Sequence, residues 1–115
     1  MGLAVDMSDK FSYRPLPDCL TIQPSDIDGL GLFAVENIKG STNLGISHIR
    51  SNRARTHLNL IRMPLGGFIN HSDKPNCVLV KKVNTFLEMD MYDLVTTVKV
   101  KSGEELTLKY SLTES

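Results

Sequence analysis

Two glycines stand two positions apart in the segment GLGLFA, residues 29–34, which follows the turn-forming residues SDID. Glycine adopts positive φ and lets another group approach the backbone closely, so such a segment can cradle a ligand. The same spacing also fits a plain β-turn, and the glycines alone do not separate the two interpretations. A dinucleotide-binding fold is excluded, because the third glycine and the helix that this motif requires are both missing.

A second polar segment, GGFINHSDKPNC, spans residues 66–77. Asn70 and His71 offer an amide and an imidazole to a polar ligand, whereas Ser72, Asp73 and Pro75 suit a tight turn. The alternative is a solvated loop whose side chains bond only to their own backbone.

Two other kinds of chemistry are disfavoured in this segment. The three histidines, His48, His57 and His71, do not have the spacing of metal ligands, so we expect no metal site. A Cys77–His pair for nucleophilic catalysis is conceivable, but Cys77 opens an apolar strand and is expected to pack there.

The third segment, GEELTLKY, spans residues 103–110. In an alternating strand Leu106, Leu108 and Tyr110 share one face, with Thr107 and Lys109 on the other. Tyr110 then follows the buried side of the strand. By itself this pattern indicates a tyrosine that closes the core with its hydroxyl at the rim.

Hydrophobic alternation dominates the chain, and β-branched, leucine and aromatic residues fill short segments between turn formers. Eight strands are predicted, so the fold class is mainly β with little helix. YDLV is interpreted as a hairpin between two of them, and only residues 48–60 could hold a weak helical turn. The predicted strands span residues 19–23, 32–37, 44–49, 59–63, 77–83, 85–92, 94–100 and 106–110.

Composition narrows the function classes. Thirteen basic residues balance thirteen acidic ones, so binding of nucleic acid through bulk charge is disfavoured. No apolar run approaches the roughly 20 residues that a membrane span needs, and the start of the chain does not resemble a signal peptide. Cys19 and Cys77 are expected to be free thiols, with one disulfide as the alternative. We therefore expect a soluble intracellular protein.

Taken in order, GxGxFA, FINHSxxPNC and GEELTxxY resemble the SET-domain family of protein lysine methyltransferases. The resemblance covers roughly residues 20–112 and implies one domain over residues 1–115. It also implies the SET β-clip fold, in which several small sheets surround a knot-like crossing of the NHS segment and the C-terminal tyrosine segment. An unrelated small β protein with coincidental motifs is the remaining alternative for the fold.

The resemblance implies that S-adenosylmethionine is the cofactor and that no metal is needed. By similarity, the backbone of Gly29, Leu30 and Gly31 would lie along the methionine portion of the cofactor. Asn70 and His71 would bind the cofactor through main-chain and amide hydrogen bonds.

Further roles follow from the same resemblance. Phe68 and Ile69 would pack beneath the cofactor, and Phe68 is counted among the cofactor-binding residues. Tyr110 matches the catalytic tyrosine of the family. The substrate would be a lysine side chain of a protein. The expected partner is therefore a protein, and no binding to nucleic acid or to a membrane is expected. The lysine identity and the number of methyl groups are not specified by the sequence.

The chain departs from the family pattern mainly where substrate is bound. Only about 20 residues, RSNRARTHLNLIRMPLGGF, replace a longer insert before the NHS segment. In the family one strand often ends in Glu-Tyr, and Ser47 and His48 stand in that neighbourhood here. Gly67 stands where many members carry arginine. No aromatic lid or zinc segment is expected after Tyr110. A second subunit of a homodimer could supply the missing lid. The alternative function is a catalytically weak SET-fold binding module.

Overall fold

The computed structural model describes residues 15–51, 60–84 and 88–109. Within these ranges the chain forms eight strands and one single-turn helix. The elements, in chain order, are β1 (Leu20–Pro24), β2 (Leu30–Ala34), β3 (Asn43–Ser51), β4 (Leu60–Arg62), α1 (Pro64–Phe68), β5 (Asn70–His71), β6 (Cys77–Asn84), β7 (Met89–Thr96) and β8 (Glu105–Leu108).

The eight strands form two four-stranded sheets. The first has the order β1-β2-β8-β5, and the second has the order β4-β3-β7-β6. Every described pairing between neighbouring strands is antiparallel except that of β5 with β8, in which Asn70 pairs with Thr107 and His71 with Leu108. The parallel pair joins two segments that are far apart in the sequence and brings the second polar segment against the third.

The core lies where the buried faces of both sheets meet α1. Leu32 of β2, Leu94 of β7 and Leu106 of β8 are each completely buried. Leu65 of α1 and Ile69, the residue that follows this helix, belong to the same apolar cluster. The two sheets therefore share one apolar core. No helix of the described residues is long and apolar enough to cross a membrane.

Helix α1 occupies a segment for which the sequence predicted neither a strand nor a helix. Pro64 stands in the first turn of the helix, where the fixed φ of proline is suitable. Proline has no N–H, but an N–H at this position would have no partner within the helix. Gly67 N donates to Met63 O at 2.8 Å, which closes the turn. The helix ends before Ile69, whose φ of −84° and ψ of 129° return the chain to an extended conformation.

The mainly β fold class is confirmed, but the hairpin predicted at YDLV is wrong. Tyr92 and Asp93 lie inside one continuous strand, β7, which pairs with β3 on one side and β6 on the other. Asp93 suggested a turn, yet it is buried within bonding distance of Lys82 Nζ, and Asn43 Nδ2 donates to it at 2.8 Å. Lys82 is itself exposed but pairs with this buried carboxylate.

In the third segment Leu106 and Leu108 are buried, as predicted for one face of the strand. Thr107 on the other face is buried as well, and Asn76 N lies 3.4 Å from its Oγ1. Alternation of buried and exposed residues applies to strands with one solvated face, and β8 has none. The weak helical turn predicted over residues 48–60 is β-strand at both described ends, and residues 52–59 lie outside the described ranges.

Candidate functional site

Asn70 of β5 joins the glycine loop to β8. Its Nδ2 lies 2.8 Å from Glu105 Oε2 and 3.0 Å from Ser25 Oγ. The carbonyl oxygens of Asp28 and Leu30 are 3.0 and 3.2 Å from the same nitrogen. An amide has two N–H groups, so these acceptors share two hydrogens. The side chain of Asn70 is therefore committed to holding the loop in place.

Ser25 and Glu105 complete this network. Ser25 Oγ donates to the Glu105 carboxylate, with oxygens at 2.8 and 2.9 Å, and accepts from Ile27 N at 2.9 Å. Ser25 N donates to Gly29 O at 2.8 Å, which closes the turn over residues 25–29. A carboxylate that accepts from a hydroxyl and an amide is well satisfied in a partly buried position. The glycine loop is thus anchored to β8 by side chains.

The structure explains why positions 29 and 31 of the loop are both glycine. Gly29 has a φ of +45°, a conformation that side chains disfavour. A Cβ on Gly31 would lie 2.9 Å from Glu105 Cδ and 3.1 Å from Asn70 Nδ2. The close approach that the sequence attributed to a ligand is made at Gly31 by Glu105. Whether Gly29, Leu30 and Gly31 also bind a cofactor stays a prediction.

The second and third segments meet as the family resemblance implied. Asn76 Nδ2 donates to Glu105 O at 2.9 Å, and Thr107 N donates to Asn76 Oδ1 at 2.8 Å. Ser72 N donates to Leu108 O at 3.1 Å. Residues 70–77 are therefore held against β8 along its length. Tyr110, the predicted catalytic residue, lies outside the described residues, so its position in this crossing is a prediction.

An open cavity of 540 Å³ lies beside this network. Four of the predicted cofactor-binding residues line it: Leu30, Phe68, Asn70 and His71. Phe68 is exposed at the cavity, and Ile69, which also lines it, is buried. The packing of these two residues beneath a cofactor stays a prediction. His71 Nε2 lies 3.4 Å from Asp73 Oδ1, on the turn beyond β5.

Two charged residues that the sequence did not single out also line the cavity, Asp28 and Arg62. Arg62 is the last residue of β4, and Asp28 belongs to the turn before the glycine loop. Ser25 and Glu105 were likewise not predicted as site residues. In the sequence Ser25 is only part of the turn before the glycine loop, and Glu105 is only one residue of the third segment. Their contact spans 80 positions, so no local pattern indicates it.

A buried Ser–His pair of β3 packs against α1 at Gly66. Ser47 and His48 are 0% and 1% exposed, and Ser47 Oγ lies 2.7 Å from His48 Nδ1. Burial, together with the nearby charge of Arg62, lowers the pKa of His48 to about 4, so this ring is neutral at physiological pH. A Cβ on Gly66 would collide with both residues, which explains why α1 carries glycine there.

The expectation that Cys77 packs in the core is confirmed. Its side chain is 2% exposed, and burial raises the pKa of the thiol to about 12, so it is a poor nucleophile. Both Cys77 and Cys19 are free. Among the residues that the structure describes, no group of His, Cys, Asp and Glu has the arrangement of a metal site. His57 lies outside the described residues.

Comparison with known proteins agrees with this geometry. No curated protein matches the sequence. Among solved structures, the fold is similar to the crystal structure of a proposed histone methyltransferase from Plasmodium falciparum. The two share 19% sequence identity and superpose with a TM-score of 0.66, over 83% of this chain and 95% of the other. At this identity the likeness establishes the fold.

The SET-domain family model matches residues 45–111, more than half of the chain. The match includes the NHS segment and the GEEL segment, while the glycine loop lies before it. Family membership supports a protein methyltransferase as the general class. On the sequence match and the shared fold, the chain belongs to the SET-domain family.

Proposed function

We propose that this chain transfers a methyl group from S-adenosylmethionine to a lysine side chain of a protein. One observation carries the proposal most directly: the glycine loop, Asn70 and His71 come together at a single cavity beside β8. The SET-domain match supplies the reaction class. We further propose that residues 1–115 form one domain, with its core over roughly residues 20–112.

The described residues fit such a cofactor in three respects. The cavity has a volume of 540 Å³, within the range of sites for small molecules. Exposed apolar side chains, Leu30 and Phe68, line it beside the polar Asn70 and His71. Because the Asn70 amide hydrogens are already engaged, its contribution would be to hold the loop carbonyls in place, while main-chain groups make the contacts to the cofactor.

The bound cofactor supplies an electrophilic methyl group on a sulfonium. A neutral lysine amine would form the new N–C bond as the S–C bond breaks, with S-adenosylhomocysteine as the leaving group. The methylated amine would then lose a proton to solvent. An ordinary lysine has a pKa near 10.4, so a site that excludes water must favour its neutral form. We assign Tyr110 the role of orienting the amine through its hydroxyl. Alignment of the two reactants can contribute roughly 7–11 kcal/mol to lowering the barrier.

Calorimetric titration with S-adenosylmethionine and S-adenosylhomocysteine tests the cofactor site. We expect saturable binding that weakens when His71 or Phe68 is changed to Ala. Lys74→Ala and Val98→Ala are matched controls, since both residues are exposed and lie outside the cavity. A folded wild-type sample that shows no binding of either ligand would refute the proposal.

The catalytic assignment has its own test. Tyr110→Phe should reduce methyl transfer to protein lysines while ligand binding is kept, because only the orienting hydroxyl is removed. Unchanged turnover would remove Tyr110 from the mechanism.

A second candidate function is a SET-fold binding module with little catalysis. The commitment of the Asn70 amide to Ser25 and Glu105 favours it, since one predicted ligand group is used within the protein. Ligand binding without transfer to any protein of a cell lysate would support this alternative.

We also propose that the chain forms a homodimer in which the second subunit supplies the lid of the substrate site. Sedimentation at micromolar concentration tests this step, and a monomer that is fully active would contradict it.

A further inference from the structure

The cavity carries two opposite charges that do not neutralise each other. Asp28 and Arg62 both line it, and both side chains are exposed. Within the described parts of the chain, neither side chain forms an ion pair or a hydrogen bond. Unpaired charges of opposite sign on the wall of one cavity are suited to a ligand that carries both signs itself.

Both charges stand on backbone that is held in place. The Asp28 carbonyl is 3.0 Å from Asn70 Nδ2, and Asp28 N lies 3.4 Å from Ser25 Oγ. Arg62 pairs with His48 in the register of β4 on β3, which fixes where this arginine leaves the sheet. A fixed backbone reduces the ordering that a ligand contact must supply.

We infer that Arg62 and Asp28 recognise the α-amino-acid end of the cofactor, with the guanidinium on the carboxylate and the Asp28 carboxylate on the ammonium. This inference rests on the proposed function, which places S-adenosylmethionine in this cavity. A guanidinium matches a carboxylate through two parallel hydrogen bonds, and charge-assisted bonds are stronger than neutral ones. These two residues would therefore provide much of the preference for ligands that retain the amino-acid end.

Three probes separate the two contacts: S-adenosylmethionine, its decarboxylated form and 5′-methylthioadenosine. Of the two charged groups at the amino-acid end, the first probe has both the carboxylate and the ammonium, the second has the ammonium without the carboxylate, and the third has neither. In wild type we expect decarboxylation to weaken binding about tenfold or more, as loss of a charged hydrogen bond predicts. Arg62→Gln should bind S-adenosylmethionine and its decarboxylated form with similar affinity, because this variant lacks the guanidinium that would contact the carboxylate.

Asp28→Asn should give a different pattern. It should weaken both ammonium-bearing probes by about tenfold and leave 5′-methylthioadenosine unchanged. Lys99→Ala is the control for loss of one positive charge, since Lys99 is exposed and lies outside the cavity. It should change none of the three affinities by more than about twofold, because exposed distant charges are screened.

The outcomes distinguish the failure of this inference from that of the proposed function. If folded wild type binds none of the probes, the proposed function fails and this inference with it. If wild type binds S-adenosylmethionine but Arg62→Gln retains the full penalty for decarboxylation, the inference alone is overturned. An Asp28→Asn variant that binds every probe normally and only raises the KM for the protein substrate would also overturn it, because Asp28 would then face the substrate.

Discussion

The adjacent glycines of α1 should respond oppositely to the same substitution. A Cβ on Gly66 would overlap the main-chain oxygen of Ser47 and lie 2.7 Å from His48 Cε1 and 2.8 Å from Ser47 Oγ. A Cβ on Gly67 would have nothing within 4 Å. Gly66→Ala should therefore destabilise the protein, and Gly67→Ala should not.

The atoms around Gly66 have little freedom to move away. Ser47 O accepts from Met63 N at 2.9 Å, and the Ser47 hydroxyl is bonded to the buried His48 ring. Overpacking of this kind costs about 1–3 kcal/mol, and a main-chain clash belongs at the upper end of that range. Replacing glycine by alanine in an open helical position gains about 0.5–1 kcal/mol. The two variants should thus differ in free energy of unfolding by about 3 kcal/mol.

Urea unfolding followed by circular dichroism measures this difference. With m-values of about 1–3 kcal/mol/M, the two midpoints should be separated by about 1 M or more, with wild type between them and closer to Gly67→Ala. Midpoints within about 0.3 M of each other, or in the reverse order, would refute the packing of α1 against β3 described above.

Two further predictions concern buried titratable groups. Because the pKa of His48 is about 4 in the folded protein and 6.5 ordinarily, the unfolded state binds the proton first as the pH falls, and stability should decrease by about 3 kcal/mol between pH 6.5 and 4. Urea unfolding of wild type and His48→Gln over this range should show the excess loss in wild type only; parallel losses would contradict the assignment. For the thiols, Cys19 is partly exposed and Cys77 is buried, so a disulfide-exchange reagent should modify one thiol in the folded protein and the second only on unfolding. Cys19→Ala should remove the accessible thiol, and rapid labelling that persists in this variant would be inconsistent with the burial of Cys77.

The sequence was sufficient for the parts of the fold that depend on local pattern. Alternation and turn formers predicted β1, β2, β3 and β6 to within a few residues, and three ordered motifs indicated the family. Strand β7 was divided in two because Asp93 has the chemistry of a turn former. Its actual role depends on Lys82 and Asn43, which neighbouring strands supply. A single-sequence pattern does not contain that information.

The sequence predicted only part of the candidate site, because contacts between distant strands are absent from local pattern here too. Asn70 and His71 were identified from residue type and family motif. The contacts of Ser25 and Glu105 depend on β2 and β8 being adjacent, which no local signal specifies. Gly31 was noted as permissive, but the group that approaches it is known only once Glu105 has a position.

The place of β8 has a consequence for synthesis of the protein. β8 follows every other described strand in the chain, yet it lies between β2 and β5 in its sheet. Until residues 105–108 have left the ribosome, the inner edge of β2 is unpaired and the glycine loop has no Glu105 to bind. A nascent chain that ends before β8 therefore presents an open apolar edge, which is a template for aggregation. The contacts of Glu105 with Ser25 and Asn70 can form only after all of the described strands have been made. These distant contacts predict folding that is slow for a protein of this size.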